Sequence, residues 1–347
     1  MRVLLIGGTG FIGSFLAPEL QRLGADVAVV TRGLSTKDAL ADLTRIIGDR
    51  KRLRESEPEI RAFAPDVVID LVLSSGTQAR ELMAVMRGIA GRVVALSSMD
   101  VYRACGVLHG LEEGPLEPVP LTERSALRTK LATYPPAQIA RLQQVFGWLD
   151  DEYDKIPVER AILGDAELPA TVLRLPMVYG PGDPLHRFWP LVKRMADRRP
   201  AILMSAPMAA WRSPRGFVGN VAVAIALAAL SDKAAGRIYN VAEQPSYSEL
   251  EWARYVATAI GWNGELIVLP PDEMPAHLRM PGNFDQHWAV ESTRIRSELG
   301  YSERVDLESA IRETIEWEHA NPPAAPMVPV DYDAEDAAIA ATAGRAP

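Results

Sequence analysis

The sequence predicts an α/β protein: a doubly wound parallel sheet followed by a smaller C-terminal α/β part. Three observations carry that expectation. The chain opens on a continuous apolar run, "RVLLI" (2–6), then a glycine-rich turn, a helical period and a second strand-like run, "DVAVVT" (26–31). Unbroken apolar runs mark strands that are buried on both faces. Similar runs return in "PDVVIDLV" (65–72) and "GRVVALSSMDVY" (91–102), the latter passing straight into polar residues.

"GGTGFIGSFLAPELQRLG" (7–24) follows the first strand. From Phe11 its apolar residues recur with a helical period, closed by Gly24. Gly7 allows a sharp turn, Gly10 lets the backbone approach a pyrophosphate, and Gly13 lets the helix lie close to the sheet. The helix start adds unpaired N–H groups and a positive dipole end. A glycine pattern set between strand and helix is the context of a Rossmann-type nucleotide-binding turn. "TRIIGDR" (44–50) reads as a third strand running to Asp49, and 65–72 as a fourth. Asp49 and Asp70 suit helix caps or loop positions as well. Residues 91–102 read as a fifth strand with Ser97 and Ser98 at its carboxyl end, where open parallel sheets bind ligands. Residues 103–150 are rich in proline and mixed charge and lack a strand period, as expected of a substrate-covering loop.

In the second half, "YGPGD" (179–183) is a turn signal, and "VAVAIALAAL" (221–230) is a buried helix too short to span a bilayer. Asn220 before it is a good N-cap residue. "GRIYNVAEQPSYSELEWARYVATAIG" (236–261) reads as strand, turn and helix. The Pro/Ala-rich tail 321–347 is expected to be mobile or to dock on the partner subunit of a homodimer.

Composition narrows the function. The chain has 347 residues, 48 % hydrophobic and 24 % charged, with a net charge of −8. Such an acidic chain is not expected to bind nucleic acid or an anionic membrane. A single cysteine, Cys105, leaves no disulfide framework, and five scattered histidines predict no metal. The N-terminus lacks the pattern of a signal peptide, so the cytoplasm is the expected compartment.

"GGTGFIG", "SSMDVY", "RLPMVYGPGD" and "RIRSELGY" together resemble the extended short-chain dehydrogenase/reductase family, which includes NAD(P)-dependent sugar epimerases and dehydratases. The resemblance spans about residues 1–320. It implies a nucleotide-binding domain over 1–180, with a contribution from about 210–245, and a substrate-binding part over 181–320. It implies cofactor contacts from Gly7, Thr9, Gly10, Phe11, Ile12, Gly13, Asp49, Leu71, Lys155, Pro176 and Val178, with Asp49 on the adenine amino group. Where the family has an acidic residue at the end of the second strand, this chain has Thr31, followed by Arg32. A cation there favours the 2′-phosphate of NADP, so NADP(H) is the expected cofactor and NAD(H) the alternative.

The same resemblance makes Ser98 the hydroxyl that polarises the substrate oxygen, and places Asp100, Arg212 and Arg215 on the substrate, the arginines facing an anionic group such as a nucleotide-sugar diphosphate. Dehydratases of the family carry an Asp–Glu pair after the hydroxyl residue; Met99 and Asp100 stand there instead. A thioether transfers no proton, which argues against dehydration. In "DDEYDKIPVERAIL" (151–164), Glu159 four residues after Lys155 marks Lys155 as the family's lysine. The family's tyrosine lies four residues before the lysine, where this chain has Asp151. Tyr153 would fall about 200° from Lys155 around an ideal helix. Pro157 disturbs that helix, either kinking it or sitting in the first turn of a helix capped by Asp154. Three readings follow: Tyr153 is a displaced acid/base, Asp151 or another group replaces it, or the proton relay is absent. The implied activity is an NAD(P)-dependent oxidoreductase or epimerase acting on a hydroxyl or keto carbon of a sugar, nucleotide sugar or similar molecule. The alternative is a weakened cofactor-binding protein on the same fold, RNA-binding or regulatory.

Overall fold

The computed structural model describes residues 1–33, 43–326 and 328–343. Its strands, in chain order, are β1 (Arg2–Ile6), β2 (Asp26–Thr31), β3 (Thr44–Ile47), β4 (Val67–Asp70), β5 (Arg92–Ser98), β6 (Ala170–Leu175), β7 (Met177–Tyr179), β8 (Ala201–Ser205), β9 (Arg215–Phe217), β10 (Ile238–Asn240) and β11 (Glu265–Leu269). Seven of them form one parallel sheet in the order β3-β2-β1-β4-β5-β6-β10. Two short parallel pairs, β7 with β9 and β8 with β11, stand apart from it.

Alternation along each strand divides the core into two layers. Val3 and Leu5 pack with Leu16, Leu20 and the apolar helix Val218–Leu230. Leu4 and Ile6 pack on the other face with Leu82, Met86, Val158 and Ile162. Helices therefore cover both faces, which is why these strands read as continuous apolar runs. The order reverses beside β1, whose neighbours are β2 and β4. Their carboxyl ends open the crevice that such sheets use for ligands.

Several local expectations change. The third strand ends at Ile47; Asp49 instead caps the next turn by accepting from the Lys51 N–H at 2.9 Å. Asp70 is neither a cap nor a loop residue. It ends β4, fully buried, paired with Arg50 at 2.7 Å. The connection 103–150 is not irregular throughout, since it holds helices Arg103–Leu108 and Pro136–Val145. Asn220 lies inside its helix, which starts at Val218. Its amide accepts from the N–H groups of Arg304 and Val305 and donates to the Val305 carbonyl, tying the C-terminal segment to this helix.

The tail also departs from expectation. Its helix Tyr332–Ala343 docks on its own chain, with Ala338 and Ile339 against Leu203, Leu269 and Met274. Glu335 is fully buried there and accepts from Arg194 at 2.6 and 3.0 Å. Met327 and residues 344–347 lie outside the described residues.

Candidate active site

The helix carrying Lys155 decides where Tyr153 points. Asp154 is extended (φ −161°, ψ 128°) and caps the helix by accepting from the Ile156 N–H at 2.8 Å. The helix begins at Lys155, so Pro157 falls in its first turn, where a missing N–H breaks no helical bond. Tyr153 precedes the helix and is free of its angular spacing. Its hydroxyl donates to Asp100 Oδ2 at 2.8 Å, and Lys155 Nζ lies 5.6 Å from its ring centre. Asp151, the residue in the family's register, is exposed and accepts from Gln143 Nε2 at 2.8 Å, outside the site.

Lys155 is 5 % exposed and donates to the carbonyls of Leu73 and Leu96. Burial lowers its pKa to about 8, against the pull of Asp100, Asp70 and Glu159. Glu159, one turn on, forms no part of the cavity. It accepts from Ser97 Oγ at 2.6 Å and from Arg174 at 2.7 and 2.9 Å, which locks the lysine helix to β5 and β6.

Ser98 ends β5, and its Oγ accepts from the Asp100 N–H at 3.2 Å. Asp100 is 1 % exposed; Oδ2 receives the Tyr153 proton donor, while Oδ1 has no partner. Burial raises the Asp100 carboxyl above the usual range, although Arg128 and Tyr153 oppose it. The Tyr153 phenol is pushed well up, first by burial and then by Asp100 and Tyr134, with Ser98 acting the other way. Tyr134 stacks on Tyr153, ring centres 5.9 Å apart.

Ser98, Asp100 and Tyr153 open on a cavity of about 460 Å³. Pro176 and Met177 line it, whereas Val178 is turned into the core. The 103–150 connection supplies part of the wall, including His109, Tyr134, Phe146 and Trp148. Trp148 also lines a second cleft of about 360 Å³, with Gly7, Thr9, Gly10, Arg32, Asp49 and Lys51.

Glycines shape the turn that borders this second cleft. Gly7 has φ +81°, and a Cβ there would meet Val72 at 2.5 Å. A Cβ on Gly13 would lie 2.3 Å from the Gly8 carbonyl oxygen, so only glycine permits this helix approach. Helix Gly13–Arg22 starts with no side-chain cap; the Ser14 N–H donates to the Gly10 carbonyl and those of Phe15 and Leu16 to Ile12, so the positive end of the helix dipole is what the turn offers an anion. Ile12 stands at that start, Phe11 rests against Gly182, and Leu71 follows β4 beside the turn. Thr31 is buried, and its hydroxyl accepts from the Gly33 N–H. Arg32 and Lys51 are exposed at the cleft with no ion pair among the described residues.

Residues 3–86, from the first strand through the helix after β4, match the family model described as NAD dependent epimerase/dehydratase family. Over these residues the chain is similar to the NAD-dependent epimerase/dehydratase family. A UDP-glucose 4-epimerase from Thermus thermophilus, solved with NAD, shares the fold (TM-score 0.59, 21 % identity, 92 % of this chain and 100 % of that one). A chloroplast stem-loop binding protein of 41 kDa from Arabidopsis thaliana is 23 % identical over 88 % of this chain and 76 % of its own length. A 2′-dehydrokanamycin reductase from Streptomyces kanamyceticus is 27 % identical over 75 % of this chain and 67 % of its own.

Against the family expectation, the two arginines read as diphosphate ligands do not reach the cavity. Arg215 is 8 % exposed, paired with Glu249 at 2.6 Å and set over the rings of Phe188 and Trp252. Arg212 is held by Glu251 at 3.0 Å and by the Ser246 carbonyl. Each charge is answered by a carboxylate of helix Glu249–Ile260, and neither residue lines the cavity. The sequence reading also missed Arg128, Tyr134 and Trp148. Arg128 is buried and donates to the Asp100 carbonyl at 2.6 Å and to Asp154 at 3.1 Å. It sits in a segment without periodicity and left no signal. Trp148 did leave one, the single tryptophan of the 103–150 connection, two residues after Phe146.

Proposed function

We propose that the protein is an NADP(H)-dependent oxidoreductase acting at a hydroxyl or keto carbon of a small molecule held in the larger cavity. The observation that carries this reading is the Tyr153 hydroxyl, which meets Asp100 at 2.8 Å beside Ser98 although the tyrosine is displaced in sequence. Residues 1–180, with about 210–245, would hold the cofactor, and 181–320 would complete the substrate site. The glycine turn would hold the diphosphate, with Arg32 and Lys51 at the adenosine end. A bound nicotinamide supplies or accepts the hydride.

Ser98 donates to the substrate oxygen and steadies its developing charge. Tyr153 is the proton-transfer group. Its raised pKa leaves no standing tyrosinate, so in the oxidative direction the substrate proton passes to the phenol oxygen as the phenol proton passes to Asp100. Burial raises the Asp100 carboxyl, which suits it to hold that proton. The Lys155 ammonium fixes the carbonyl ends of Leu73 and Leu96 and adds positive charge beneath Tyr153.

Tyr153→Phe is expected to lower kcat by about 10²–10⁴-fold in NADPH-linked carbonyl reduction, with NADPH affinity within roughly twofold of wild type. Retained kcat would overturn the role. A second reading, RNA binding on the same fold, is favoured by the chloroplast stem-loop binding relative. The net charge of −8 weighs against it, because such binding rests on phosphate neutralisation.

A further inference from the structure

The larger cavity has walls that select a chemical class. Trp211, Trp288, Phe284 and Phe146 line it, together with Met99, Met177, Met208 and Met280. Flexible thioethers among aromatic rings suit a bulky apolar ligand and adapt to its outline. Polar groups gather at one end, where Ser98, Asp100 and Tyr153 meet. Asp100 Oδ1 is buried there without a partner.

Charge is the second, independent observation. Among the described lining residues Arg187 is the single cation, and its Nη1 is bound to Asp183 at 2.6 Å and to the Val178 carbonyl at 2.8 Å. His109 also lines the cavity, and burial holds its pKa down, which keeps it neutral. Arg212 and Arg215 are bound to Glu251 and Glu249. A diphosphate would bring two charges into this space without a free cation to meet them, and an unpaired buried charge is strongly disfavoured.

Resting on the oxidoreductase reading, we infer that the substrate is a neutral, largely apolar ring compound bearing one hydroxyl or keto group, and not a nucleotide sugar. The ring system lies along Trp211, Trp288 and the methionines, and the oxygen points to Ser98 and Tyr153.

The neutral aryl ketone 2-acetonaphthone is a suitable probe, set against UDP-glucose, with tryptophan fluorescence of the full chain as the readout. The ketone is expected to quench with a Kd on the order of 0.1 mM, and UDP-glucose to give no change at roughly fifty times that concentration. Met208→Gln, nearly isosteric and half-buried, is expected to weaken the ketone about tenfold with Tm unchanged. Trp288→Leu repeats the test from another wall if that variant fails to fold. Tighter binding of UDP-glucose, no ketone binding, or ketone binding unaffected by both variants overturns the inference. Turnover separates the two claims. A ketone that binds by these criteria but is never reduced with NADPH supports the substrate class and sinks the redox reading. A nucleotide sugar that is turned over does the reverse.

Discussion

Tyr153 and Lys155 sit two residues apart, yet the tyrosine lines the cavity with the lysine Nζ buried 5.6 Å from its ring centre, because the helix starts between them. Asp154 and Pro157 enforce that start, one as cap and one as a residue that fits only the first turn. The buried ammonium gives this arrangement a pH signature. Its folded pKa of about 8 lies below the ordinary 10.5 because burial disfavours the charge. Turnover that needs the ammonium is therefore expected to fall as pH rises through about 8, read as the descending limb of kcat against pH. A limb only above about 10 would mean that Lys155 keeps its solvent pKa. The linkage has the opposite sign for stability. Between about pH 8 and the ordinary 10.5 the unfolded chain still holds the proton that the folded chain has lost, so folding grows more favourable as pH rises.

Two elements pack in ways that a local reading does not foresee. The 103–150 connection folds in part into helices and brings Tyr134, Phe146 and Trp148 into the wall of the larger cavity. The tail helix Tyr332–Ala343 is fastened by the bidentate Arg194–Glu335 pair, with His277 Nε2 at 3.0 Å from Glu335. Burial opposes ionisation of Glu335, but Arg194 and His277 outweigh it and hold its pKa below the usual carboxylate range. A depressed carboxylate stabilises above its unfolded pKa and loses that contribution as pH falls through the folded one. Glu335→Ala leaves Arg194 buried without a counter-charge and is expected to cost about 3–5 kcal/mol of docking. Faster amide exchange across residues 332–343, with NADPH binding unchanged, would register that loss.

At the scale of the whole molecule, the proposed preference for NADP(H) rests on the residues where β2 meets the second cleft. Thr31 offers no carboxylate to a ribose diol, and Arg32 and Lys51 stand at the rim. NADPH is expected to bind at least about tenfold more tightly than NADH, and Arg32→Asp to reverse the preference, as measured by calorimetry. Equal affinities in the wild type would remove the 2′-phosphate from the reading.

The opening strand, glycine turn and helix were legible because their signals are local: an apolar run, positions that only glycine can occupy, and a helical period. The buried helix 218–230 and the capped helix Glu249–Ile260 were legible for the same reason. The register from Glu159 pointed to Lys155 as the lysine to examine, and Pro157 marked where the helix could begin. What no local signal carried was pairing across the chain. Arg215 is bound to Glu249, Asp70 to Arg50 and Tyr153 to Asp100, partners 34, 20 and 53 residues apart. An arginine written in a sequence is a cation that could meet any anion. Only the packing of distant elements decides which carboxylate is near enough to claim it. By itself, then, this sequence determined a Rossmann-type parallel sheet and pointed to the lysine beside it. The tertiary structure decided which charges remain free, and with them the character of the cavity, because a charge in a low-dielectric interior is defined by its nearest partner.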